Sequence, residues 1–226
     1  MSKKWDIDVS AAIELQKRQA RRVREIPLGR PIQTIAGADA AFSPDGRYCV
    51  AAVVVLDWPD MKQIDWATAV KKVQFPYIPG LLSFREAPAV LAAAQKLKIR
   101  PDVMIIDGQG RAHPRRFGLA CHVGVELDWP TIGCAKSRLI GTHRPPGPKK
   151  GSCCQLKDQH QVIGMVLRSR DAVKCLYVSV GHLTDLSGAV NLVLRCCRRY
   201  RLPEPVRISH QLVGRLRSKV ALDKKE

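Results

Sequence analysis

The sequence lacks several features that would each fix a class. No apolar run approaches the roughly 18 residues that a membrane helix requires. The opening stretch MSKKWDIDVS has basic residues but no apolar segment behind them, so it does not read as a signal peptide. No Cys-x-x-Cys occurs among the eight cysteines, and two pairs are adjacent (Cys153-Cys154 and Cys196-Cys197). That spacing argues against a Cys/His metal cluster. A chain of 226 residues also has no need of disulfide staples, so the cysteines read as reduced thiols, most of them small buried hydrophobes. There is no internal repeat. The expectation is a cytoplasmic, monomeric protein with no membrane partner.

Acidic residues are also scarce. Asp and Glu number 20 against 38 Lys and Arg, a formal net charge of +18 with a pI near 10.0. A surplus of that size concerns partners rather than fold. A polyphosphate is the partner it fits best, because each neutralised phosphate releases condensed counterions; an anionic membrane surface ranks behind it. A hydrophobic fraction of 46% supplies a substantial core, and the length suits one domain. The reading is a basic N-terminal helix within 1–30, a core over 33–212 and a basic tail over 213–226.

Residues 8–24 read as a surface helix, with Val9, Ile13, Leu15 and Val23 interspersed among bases that can follow a phosphate backbone. Residues 33–42 and 47–57 read as strands joined at Ser43-Pro44-Asp45-Gly46, and 62–74 as a third strand. The stretch 75–80 (FPYIPG) is too rich in Pro for a regular element. Ser83, with Glu86 three residues on, has the capping-box arrangement for a helix over 83–97. Strands are expected at 103–106, 130–135, 161–168 and 175–180, and helices at 116–127, 184–199 and 207–220. Residues 141–151 read as a basic loop. Antiparallel strands followed by strand–helix alternation predict an α/β chain with a mixed sheet and helices on both faces, as a ribonuclease H-like fold requires.

Three of the few acids stand where core residues are expected. Asp39 lies between Ala38 and Ala40 in an apolar strand, and Asp107 ends the run Val103-Met104-Ile105-Ile106. Glu86 falls on the first turn of its helix. Glu86 alone could simply complete a cap, and Asp107 could be a turn acceptor before Gly108. Asp39 has no comparably cheap explanation, because a carboxylate taken out of water needs a partner. Together the three fit a hard-cation site, since carboxylate oxygens suit magnesium.

The stretch Gly37-Ala38-Asp39 with Phe42, the motif FPYIPGLLSFRE (75–86), the motif DGQGRAHPRRFGLACHVGVELDWPTIG (107–133), CAKSRL (134–139) and RLPEPVRISH (201–210) resemble the endonuclease V family, in unbroken order over roughly 33–212. The resemblance implies a ribonuclease H-like fold and a Mg2+-dependent phosphodiesterase, with Mn2+ as substitute. Such an enzyme recognises hypoxanthine in nucleic acid and cuts one nucleotide away on its 3′ side. By matching positions, Asp39, Glu86 and Asp107 would hold the metal, His210 would assist, and Lys136 would sit by the scissile phosphate. Tyr77 would be a wedge into the helix where the base is removed. Gly80, Leu82, Gly108, Gly110, His113, Ser137 and Leu139 would border the pocket for the flipped base. Without the motifs, Tyr77 would read as a loop aromatic resting on the core, His113 as a structural histidine before Pro114, and Lys136 as a surface lysine.

Ala40-Ala41 depart from the family, which often carries a larger residue and a serine there; this bears on packing. Asp185 reads as a helix cap, with a role behind the site as the alternative. The preferred substrate is deoxyinosine in DNA. Inosine in RNA, a binding protein without catalysis and an RNA-hybrid nuclease are the alternatives. The intact acids oppose the binding protein, and the Pro-Tyr-Ile-Pro motif opposes the hybrid nuclease.

Overall fold

The computed structural model describes residue 5 and residues 7–220. Helix α1 (Val9–Ala20) leads into an antiparallel meander of β1 (Thr34–Phe42), β2 (Tyr48–Asp57) and β3 (Gln63–Lys72). Then follow α2 (Ser83–Ala94), β4 (Val103–Ile106), α3 (Leu119–Leu127) and β5 (Thr131–Ala135). The chain continues through β6 (Cys153–Asp158), β7 (Gln161–Leu167), β8 (Leu176–His182), α4 (Leu186–Cys196) and α5 (Glu204–Val220). The eight strands form one sheet in the order β3-β2-β1-β4-β5-β8-β7-β6. The pairs β1–β4 and β4–β5 are parallel, and the remaining pairs are antiparallel.

Helices cover both faces, as the alternating pattern predicts. One core joins Ala36, Ala38, Val53 and Val55 to Val90 of α2 and Val123 of α3. The other joins Ile35, Val54, Ile105 and Val178 to Val193 of α4 and Val206 of α5. Gly37 permits the second packing, because a Cβ there would run into the Pro205 carbonyl at the start of α5.

Three local expectations need correction. Ser83 does not cap α2: the cap position falls on Leu82 with no side-chain bond, and the Ser83 hydroxyl pairs instead with His122 Nδ1 at 3.1 Å. The last helix, expected from 207, begins at Glu204, with Pro205 in its first turn, where a missing N–H leaves no bond unmade. That helix also runs through position 213, so the expected tail begins inside it, and residues 221–226 lie outside the described residues. In α1, read only as a surface helix, Ala12, Gln16 and Gln19 are buried. Strand β6 was not expected, because an edge strand reading CCQLKD has weak alternation. Asp185 does cap α4, accepting from the Gly188 amide at 3.0 Å. All eight cysteines are free, and five are buried. Among the described residues no helix is long and apolar enough to cross a membrane.

Candidate active site

Strand register brings the acids together. Ala38 of β1 pairs with Ile106 of β4 in parallel, so the next residues, Asp39 and Asp107, stand side by side on one face. The Asp107 amide donates to the Ala38 carbonyl at 2.9 Å, which extends that register by one step. Helix α5 lies on the same face and brings His210, whose Nδ1 is 2.7 Å from Asp39 Oδ2. Lys136, just past β5, sets Nζ 2.5 Å from Asp107 Oδ2. Asp39, Asp107 and His210 offer ligand atoms all within 4.8 Å of one another. Glu86 lies outside that tight group and reaches the same space from α2. A cavity of about 580 Å³ is bordered by Asp39, Glu86, Asp107, Lys136 and His210.

The carboxylates in this cluster are buried and crowd one another. Burial, and then the neighbouring Asp39 and Asp107, push the Glu86 carboxyl up to about 8. Burial and Asp107 also raise Asp39, while His210 and Lys136 pull it back. The folded chain therefore holds carboxylates that repel one another. A raised acid destabilises the fold progressively as pH climbs from its unfolded value, 4.5 for Glu86, to about 8. Without divalent ions, Glu86→Gln should therefore raise the melting temperature, and by more at pH 9 than at pH 5. Equal shifts at both pH values, read by calorimetry in EDTA, would contradict this.

A second cavity of about 400 Å³ adjoins the first and shares Glu86, Asp107 and Lys136 with it. Tyr77, Gly80, Leu82, Gly108, His113, Ser137 and Leu139 all border it. Tyr77 is 69% exposed, so it does not rest on the core. The Arg85 guanidinium lies 4.5 Å from the Phe42 ring centre and 5.8 Å from that of Tyr77. Gly110 is the one expected pocket residue that does not border the cavity: it is buried beneath, its amide donating to Ser179 Oγ at 2.9 Å, with no room for a Cβ beside the Val180 carbonyl. His113 borders the cavity with both ring nitrogens engaged, by the Arg115 amide at 3.2 Å and the Gly80 carbonyl at 3.0 Å.

Sequence reasoning missed Gln109 and Arg217. Gln109 borders the base-sized cavity and donates from Nε2 to the Ser137 carbonyl at 2.9 Å. Arg217 borders the carboxylate cavity. Its signal was available, since it lies seven residues, two turns, beyond His210 on one helix.

These features define a ribonuclease H-like α/β protein with an acidic centre beside the carboxyl end of its central parallel strand. The sequence model of the endonuclease V family matches residues 14–211. An endonuclease V from Methanothrix thermoacetophila is 48% identical over 208 residues, 92% of each chain. The crystal structure of the Streptomyces avermitilis endonuclease V superimposes with a TM-score of 0.91 at 39% identity, covering 96% of both chains. The Ciona intestinalis endonuclease V, in complex with a 23mer DNA containing an inosine followed by a ribo-adenosine, gives 0.79 at 25% identity, covering 94% of this chain and 98% of that one. The chain belongs to the endonuclease V family, and its class of chemistry is that of a nuclease.

Proposed function

We propose that this protein is a divalent-metal-dependent endonuclease that recognises deoxyinosine in DNA and hydrolyses a phosphodiester one nucleotide away on its 3′ side, a repair activity. The observation that carries the reading is the shared wall: a base-sized cavity and a carboxylate cavity meet at Glu86, Asp107 and Lys136. A base extruded into the first leaves its own backbone running past the second. The DNA bound by the Ciona relative contains an inosine, which supports the choice of base.

The donor set fits a hard cation. Asp39, Glu86 and Asp107 would hold Mg2+, or Mn2+ in its place, and their mutual repulsion is the state that a dication relieves. When bound, such an ion supplies positive charge for activating water and stabilising the leaving oxygen. The protein's own groups supply the rest. Asp39 holds the His210 ring by Nδ1, which leaves Nε2 to accept a proton from water. Lys136 brings a fixed positive charge to the wall between the cavities, where negative charge develops on the phosphate. Tyr77 fills the gap left by the extruded base.

Discrimination rests on the base edge. At its six position adenine offers a donor and hypoxanthine an acceptor. Gly118 and Leu119, at the start of α3, border the cavity; no side chain caps that helix, and of its first amides those of Gly118 and Ala120 already donate to the Gly110 and Gln109 carbonyls. A helix N-terminus rewards an acceptor and repels a donor. The wrong base leaves a buried polar group unpaired, at about 1–3 kcal/mol.

The ribo-adenosine beside the inosine in the Ciona complex favours a second reading, inosine in RNA. Duplex DNA, single-stranded DNA and RNA, each carrying one inosine, separate the two. Cleavage rates should be highest on DNA; faster cleavage of RNA would replace the first reading with the second. Binding should also weaken steeply with salt, by about 100-fold or more between 50 and 200 mM, because phosphate contacts dominate at net +18. A flat response in a filter-binding titration would contradict the phosphate-contact account.

A further inference from the structure

The wedge loop is held from an unexpected place. Gly80, which closes the loop carrying Tyr77, has φ +78, and a Cβ there would lie 2.8 Å from Arg115 Nη2. Its carbonyl accepts three hydrogen bonds: from Gln16 Nε2 at 3.1 Å, His113 Nε2 at 3.0 Å and Arg115 Nη2 at 2.6 Å. Gln16 is wholly buried on α1, far from the loop in sequence. Its Nε2 also donates to the Phe117 carbonyl at 3.2 Å, and its Oε1 accepts from Arg115 Nε. The polarity of this network is fixed. Gly80 and Phe117 present carbonyls, so the Gln16 amide must face them with its nitrogen. His113 accepts at Nδ1 from the Arg115 amide, so its proton sits on Nε2. Burial and Arg115 push His113 down to about 4, so the ring donates to Gly80 as neutral imidazole at neutral pH.

Resting on the inosine reading above, we propose that Gln16 is a positioning residue for base recognition, which ties the Tyr77 loop to the entry of α3 and so sets the width of the base cavity. Gly80 borders that cavity, and so does Gly118, directly after Phe117. A single amide bridges the two. Helix α1 is then part of the recognition apparatus and more than a basic surface that follows phosphates. Gln16 borders neither cavity, so it acts on selection and leaves the hydrolytic groups in place.

Two measurements test this. In the free protein, Gln16→Met keeps the side chain's length but removes the amide, and amide hydrogen exchange over residues 77–82 should quicken about tenfold or more. Gln16→Glu retains an acceptor for Arg115 while losing the donor to Gly80 and Phe117. It should show the same quickening, which covers the case of a poorly folded Met variant. Unchanged exchange in a folded variant would overturn the proposal. On duplex DNA with one inosine, Gln16→Met should lower kcat/KM about 10- to 100-fold, with KM rising more than kcat falls. Introduced into Tyr77→Ala, the same change should add little, because both act through one loop. Fully additive losses would mark Gln16 as merely structural and overturn the proposal. If the wild-type protein fails to prefer inosine over adenine, the functional reading falls, while the exchange measurement still decides whether Gln16 holds the loop.

Discussion

Replacing Asp39 by alanine should reduce cleavage of inosine-containing DNA by at least about 1,000-fold in magnesium, while changing affinity for that DNA by no more than a few-fold. The expectation follows from what Asp39 joins. It stands beside Asp107 through the β1–β4 register, and it holds His210 at 2.7 Å. On the proposed mechanism its loss would remove a metal ligand and release the ring beside it, so two contributions to the chemical step would go together. Affinity should survive because phosphate contacts spread over a strongly basic surface do not pass through Asp39. Gel-shift titration and single-turnover rates measured on the same variant check both halves. Persistent cutting would remove Asp39 from the centre; lost binding with an intact rate per bound complex would make it a substrate contact instead.

The second large effect is expected at Tyr77. Tyr77→Ala should lower the preference for inosine over adenine about 10- to 100-fold, the equivalent of about 1–3 kcal/mol of lost stacking. Affinity for unmodified DNA should move much less. The side chain is 69% exposed and set between two prolines, so truncation removes an insert without opening the core. Arg85, within reach of the rings of both Phe42 and Tyr77, should keep the foot of the loop in place. Competition between inosine and adenine duplexes gives the ratio directly, and an unchanged ratio would remove the wedge role.

How legible each part was follows from which interactions are local in sequence. The sheet and both helical layers were readable because apolar periodicity is local, and the mixed topology followed from element order. Asp39 stood out because an apolar strand offers a carboxylate no partner of its own. Glu86 was ambiguous for a physical reason: a first-turn glutamate is an ordinary helix feature, and only its closeness to Asp39 and Asp107 in space distinguishes it. The Ser83 cap failed because a tertiary partner, His122, claimed the hydroxyl. The burial of Gln16 and Gln19 on α1 was not legible, because it depends on carbonyls and donors distant in sequence. Gly110 was assigned to the pocket along with Gly80 and Gly108, whereas its lack of a side chain serves close packing against β8.

Asp39, Glu86 and Asp107 are expected to assemble a metal-dependent centre aimed at the backbone beside a modified base. The direct measurement uses an end-labelled DNA duplex with a single inosine and its adenine counterpart, incubated with the protein in magnesium or in EDTA, with products resolved to single nucleotides. The account predicts one nick, one nucleotide away on the 3′ side of the inosine, with none at adenine and none in EDTA. A nick that persists in EDTA, or cuts that ignore the inosine, would contradict it.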